Sequence, residues 1–148
     1  MDAFDADVLI YAAVPEHELG RRVRRLFPDE PVATTGEVAG IGSVLLVPEV
    51  LTKPLRTDSA DELETLAGLL SRLDLRPVDE ATARLAAALG ASYGLRAADA
   101  VHLATAVQAG ADRFVTNNRS DFPATIDEID ITYPADLPDP GTSTQPSP

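Results

Sequence analysis

Cysteine is absent from this chain of 148 residues, which excludes disulfides and thiolate metal sites. Lysine is almost absent; Lys53 is the single one. Basic residues number 12 against 24 acidic ones, leaving a net charge of −12. Simple electrostatic binding of nucleic acid needs a basic footprint, so the overall charge argues against that mode. It does not argue against an enzyme that reaches phosphate through a bound metal. No apolar run approaches the roughly 18 residues of a membrane span. The first apolar run carries acids and has no basic lead-in, so no secretory signal is read there. The expected compartment is the cytoplasm.

What the chain does have is apolar substance, with 45% hydrophobic residues. A single domain of this length buries roughly 70% of the surface that its unfolded form exposes, and disorder is not expected for most of it. Residues 1–138 are read as one domain. Proline, aspartate, serine and threonine dominate beyond Pro134, and Asp139 to Pro148 are read as a disordered tail.

Short apolar segments alternate with helical patterns. Phe4 to Ala6 reads as a strand, with Asp7 available to cap a following helix that Pro15 ends. Glu16 to Phe27 has helical spacing, with Leu19, Val23, Leu26 and Phe27 on one face and most of Arg21, Arg22, Arg24 and Arg25 opposite. That arginine cluster is either a solvated helix face or a patch for phosphate or a partner. Val32 to Thr35 reads as a second short strand, and Gly36, Gly40 and Gly42 as a loop. Pro48-Glu49 opens a short helix after apolar Val44 to Val47. Asp61 to Leu73 is an amphipathic helix, and Leu75 to Val78 a strand. Glu80 to Tyr93 is an alanine-rich helix closed by Gly94. Ala98 to Ala109 is another helix, ended by Gly110. Arg113 to Thr116 and Ile129 to Thr132 are strands. This alternation predicts a three-layer α/β domain with a mainly parallel central sheet flanked by helices.

Four carboxylates stand out against that frame. Asp5 lies in Phe4-Asp5-Ala6-Asp7-Val8-Leu9-Ile10, where an acid is costly to bury unless paired or bound to metal. Asp99 opens a helix apolar nearly all round. The helix dipole accounts for an acid at that position, but not for its company. Glu49 sits in the first turn of its short helix. Asp121 follows the strand Arg113 to Thr116. In a parallel α/β sheet, ligands gather outside the carboxyl ends of the strands, which Asp5, the Thr116 to Asp121 loop and the Asp99 helix can all reach. Two bare carboxylates about 4 Å apart repel by roughly 4 kcal/mol at an effective dielectric near 20. Several together call for protonation or a divalent cation. All-oxygen donors suit Mg²⁺ or Mn²⁺ rather than zinc. Such a metal activates water and neutralises a phosphodiester oxygen.

These segments resemble the PIN-domain nucleases, and in particular the VapC-type toxins of bacterial toxin–antitoxin pairs. The matching residues are Asp5-Ala6-Asp7-Val8-Leu9-Ile10, then Glu49 in Pro48-Glu49-Val50-Leu51, then Asp99-Ala100-Val101-His102-Leu103-Ala104-Thr105-Ala106, then Val115 to Phe122. The likeness spans about residues 3 to 133. It implies Mg²⁺-dependent endoribonuclease activity, with Asp5, Glu49 and Asp99 as the acidic core. It also implies a homodimer and a small VapB-like antitoxin that blocks the acidic pocket. Two positions depart from the pattern. Asn118 stands where the family has its fourth acid; it can hold a metal or its water but adds no charge, and Asp121 either replaces it or is structural. Asp7 stands where asparagine is usual, as a helix cap or an extra acid. Thr116 either orients a ligand or ends a strand. His102 and His17 read as packed or helix-start residues outside the site.

Two rival functions are weighed. Asp5-Ala6-Asp7-Val8 and Phe114-Val115-Thr116 also resemble motifs of haloacid-dehalogenase-type phosphatases, but those require a lysine after the second motif, and Lys53 precedes it. The other rival is a PIN-like binding module that has lost its metal site through Asn118.

Overall fold

A computed structural model describes residues 1–30 and 32–139. The expected disordered tail, apart from Asp139, lies outside the described residues. Asp139 itself faces Arg22, 3.7 Å away.

Strand β1 (Asp2–Phe4) leads into α1 (Ala6–Ala12), then α2 (Glu18–Arg24) and the single turn α3 (Val32–Thr35). Strand β2 (Gly40–Ser43), α4 (Leu46–Arg56), α5 (Ala60–Leu70) and β3 (Leu73–Arg76) follow. Then come α6 (Glu80–Tyr93), α7 (Ala97–Gln108), β4 (Arg113–Val115) and β5 (Asp130–Thr132). The five strands lie in the order β3-β2-β1-β4-β5, and every pairing is parallel. The chain builds outward from β1 to β3, then returns to the other side of β1 for β4. In α/β sheets such a reversal marks the crevice, here at the carboxyl ends of β1 and β4, where ligands bind.

The sheet separates two apolar clusters. Phe4, Val8, Leu9, Val23, Leu46, Leu66 and Val115 pack on the face covered by α1, α2, α4 and α5. Ala3, Ile41, Leu89, Leu103, Phe114 and Phe122 pack on the face covered by α6 and α7. Neighbours Ala3 and Phe4, like Phe114 and Val115, fall on opposite sides, as the two-residue strand period requires. The three-layer α/β expectation holds. Helix α6 keeps its expected bounds because both ends are written in the chain: Asp79 accepts from the Thr82 amide at 2.8 Å, and Gly94 takes φ 67°.

Several local expectations fail. Val32 to Thr35 is a helical turn, not a strand; the Gly36 amide closes on Val32 O at 2.6 Å. Their β-branched content suggested a strand, but the place beside β1 belongs to the glycine-rich segment read as a loop. Gly40–Ser43 is a fully buried strand. A Cβ on Gly40 would stand 2.3 Å from Asp2 O and 2.7 Å from the Phe4 ring. Glycine is there because β1 lies too close for a side chain. The strand expected to run to Ala6 stops at Phe4, and Asp5 rather than Asp7 occupies the cap of α1. The Glu16 to Phe27 helix shortens to Glu18–Arg24, with His17 Nδ1 accepting from the Gly20 amide at 3.1 Å. The Asp61 to Leu73 helix ends at Leu70, which releases Leu73 to begin β3. No described helix is long and apolar enough to cross a membrane.

Candidate active site

Asp5 follows directly on β1, and its amide donates to Val115 O at 3.0 Å, so the end of β4 holds it beside the crevice. It is 5% exposed. Its Oδ1 accepts from the Ala6 amide at 2.8 Å and its Oδ2 from Thr116 Oγ1 at 2.7 Å. Thr116 is wholly buried, and its Oγ1 also accepts from the Asn118 amide at 3.1 Å. Of the two readings of Thr116, orienting an acid is what its contacts do. Burial raises the Asp5 pKa; the Thr116 hydroxyl, His102 and the Ala6 amide pull the other way without prevailing.

Asp7 lies two residues further on, in the first turn of α1. Its Oδ2 accepts from the Asn117 amide at 3.0 Å, while its Oδ1 is buried without a partner among the described residues. Burial, then the charge of Asp5, pushes its pKa up to about 7. Asp99 opens α7 half-buried, and its pKa is raised by burial, then by the charges of Asp5 and Asp121. Its electrostatic interaction with Asp5, Asp121 and Glu49 brings groups from the end of β1, α4, α7 and the loop after β4 into one field. Asp7, Glu49 and Asp99 each stand in the first turn of a helix. A helix dipole contributes about 0.3–1 kcal/mol to each such acid. That is too little to offset burial and mutual repulsion at Asp7 and Asp99, since both pKa values remain raised.

Glu49 shows a contact the sequence reading did not assign. Its Oε1 lies 2.9 Å from His102 Nε2. The His102 side chain is 1% exposed, and its Nδ1 has no partner among the described residues. Burial disfavours the imidazolium, but the Glu49 hydrogen bond and the charges of Glu49, Asp5 and Asp99 outweigh it, so the pKa is raised. His102 is packed and hydrogen-bonded, as expected, yet it belongs to the site because it holds an acid of the site. The signal available in the sequence was spacing: positions 99 and 102 lie on one helix face.

Asn118 does not turn toward Asp5. Its Nδ2 donates to Asp121 Oδ2 at 2.8 Å, and its Oδ1 accepts from Ser120 Oγ at 3.0 Å and the Asp121 amide at 3.2 Å. It fixes the carboxylate of Asp121, whose charge is felt at Asp99. Within the arginine cluster, Arg22 is structural: its Nη1 donates to Ala135 O at 3.1 Å and Leu137 O at 2.8 Å.

The described residues place no arginine or lysine in an ion pair with Asp5, Asp7, Glu49, Asp99 or Asp121. The negative charge is left without a fixed basic partner other than His102. By charge and donor type, these residues fit a hard divalent cation. As they stand, no three acid or histidine side chains among the described residues converge closely enough to chelate one.

Fold and site together define an all-parallel α/β/α domain with an acidic crevice where its strand order reverses. The family model for the PIN domain matches residues 3–126, and the chain belongs to that family. Solved structures share the fold. A toxin–antitoxin complex from Klebsiella pneumoniae aligns with TM-score 0.69 at 22% identity, covering 90% of this chain and 98% of that one. VapBC2 from Rickettsia felis, bound to a DNA fragment from its promoter, aligns at 0.64 and 15%, covering 89% and 97%. FitAcB from Neisseria gonorrhoeae aligns at 0.63 and 22%, covering 93% and 100%. No curated protein matches significantly.

Proposed function

We propose that this protein is a Mg²⁺-dependent endoribonuclease of VapC type, the toxin half of a toxin–antitoxin pair acting in the cytoplasm. The observation that carries the reading is the group of carboxylates that act on one another near the β1 and β4 ends, without an arginine or lysine ion partner among the described residues. Likeness in fold to a structure described as a toxin–antitoxin complex, and to VapBC2, supports the toxin assignment. Asp5, Glu49 and Asp99 would hold Mg²⁺ or Mn²⁺, with Asp121 as the fourth carboxylate, steered by Asn118. When bound, such an ion supplies a Lewis acid for the phosphodiester and makes water a better nucleophile.

The chain's own residues do the rest. Thr116 and the Ala6 amide keep Asp5 in one orientation. His102 ties Glu49 to the wall of the crevice. Asp7, with its pKa pushed up to about 7 and its Oδ1 without a partner among the described residues, is where a proton can be held and released. Arg21 and Arg24, beside Phe27 and Asp29, line a separate cavity suited to RNA phosphate or a partner's acidic side chains. The partner expected is a small VapB-like antitoxin, and the active form a homodimer.

The test is cleavage of single-stranded RNA with Mg²⁺ and with EDTA. Cleavage that EDTA stops, and that Asp5→Ala and Asp99→Ala each abolish without unfolding the protein, is the expected result. Full activity in either variant would sink the assignment. The second reading, a binding module without catalysis, draws on Asn118 in place of an acid and on the open arrangement of the donors. Calorimetric titration with Mn²⁺ separates the two: a folded protein that takes up no metal favours the binding module.

A further inference from the structure

We propose that Arg119 is a phosphate-binding station for the RNA strand flanking the cleaved bond, an inference that rests on the nuclease reading. A polyanion approaching a protein of net charge −12 needs a cation at the rim of the crevice. Most arginines elsewhere are engaged. Arg113 pairs with Asp2, Arg76 with Asp74 and Arg84 with Glu80, and Arg72 donates to main-chain carbonyls.

Arg119 differs in two ways. It is exposed in the loop between Thr116, which holds Asp5, and Asp121, which acts on Asp99. Its guanidinium lies over the Tyr133 ring, 4.0 Å from the centroid, with no side-chain hydrogen bond or ion pair among the described residues. The platform is fixed, because Tyr133 is buried and its hydroxyl donates to Phe122 O at 2.7 Å. Stacking uses the flat face of a guanidinium and leaves the N–H donors at its edge for a phosphate. Arg119 is held on the Tyr133 ring rather than by the acids, so the phosphate it takes neighbours the reacting one. The residue therefore contributes to affinity rather than to the chemical step.

Binding of a fluorescent mixed-sequence oligoribonucleotide, followed by anisotropy in EDTA over a salt series, tests this. Arg119→Ala is expected to weaken binding several-fold and to make the plot of log affinity against log salt shallower by about 0.7, the loss of one phosphate contact on a single strand. Arg119→Lys recovers the slope, Arg84→Ala leaves it unchanged, and cleavage at saturating RNA stays near wild type for all three. If Arg119→Ala keeps the wild-type slope while the wild type still cleaves RNA, this proposal falls and the nuclease reading stands. If the wild type neither binds nor cleaves RNA, both fall.

Discussion

Asp7 is the residue on which pH acts most directly. Its folded pKa of about 7 lies above the ordinary aspartate value of 3.8. The folded state therefore holds a proton there that the unfolded state has lost. Between those two values stability falls as pH rises, by an upper bound of about 4 kcal/mol before solvent screening is allowed for. Asp7→Asn removes the carboxylate. Melting curves at pH 5 and pH 8 should show a smaller drop for Asp7→Asn than for the wild type, and a higher melting temperature at pH 8. Equal drops would mean that Asp7 does not carry this pH dependence. Asp5 was readable from the sequence because an acid in an apolar run is expensive whatever surrounds it. His102 was not, because a histidine on an apolar helix gives no sign of its partner; only the fold brings Glu49 to it across 53 residues. Asn118 was read as a weakened ligand, and its side chain instead serves Asp121.

At the scale of elements, β2 is the clearest case of packing overriding local preference. Gly40 and Gly42 look like loop residues, yet both lie in a buried parallel strand. Their neighbours differ. The obstacle at Gly40 is main-chain oxygen 2.3 Å from a Cβ, while at Gly42 it is the Leu46 Cδ1 at 2.4 Å. A leucine can rotate and a paired strand cannot, so Gly40→Ala should cost more than Gly42→Ala, about 2–3 kcal/mol, with overpacking of cores as the guide. Urea denaturation of the two variants checks the order, and a Gly42→Ala loss equal to or greater than that of Gly40→Ala would contradict it. Helices α6 and α7 were legible nearly to the residue, because their stop signals lie in the chain as Gly94 and Gly110, both at positive φ. Val32 to Thr35 was not, because four residues carry too little periodicity to tell a turn from a strand.

At the scale of the whole molecule, excess negative charge and the raised acids are what the proposed uptake of a divalent cation rests on. A cation that binds only the folded form at one hundred times its dissociation constant adds about 2.7 kcal/mol. Mn²⁺ should raise the melting temperature of the wild type reversibly, with EDTA restoring it, and should do so far less in Asp99→Ala. An equal shift in both proteins would place the binding elsewhere. The sheet order adds a consequence in time. The bond from Thr116 to Asp5 joins residues 111 positions apart. A nascent chain emerges from its first residue onward, and contacts so distant form late. While β4 is still being synthesised, Asp5 has neither its hydroxyl donor nor the second wall of its crevice. The acidic centre thus starts at the fifth residue of the chain and is completed only after the hundred-and-sixteenth. The centre cannot be assembled on the ribosome before β4 and the residue that follows it have been made.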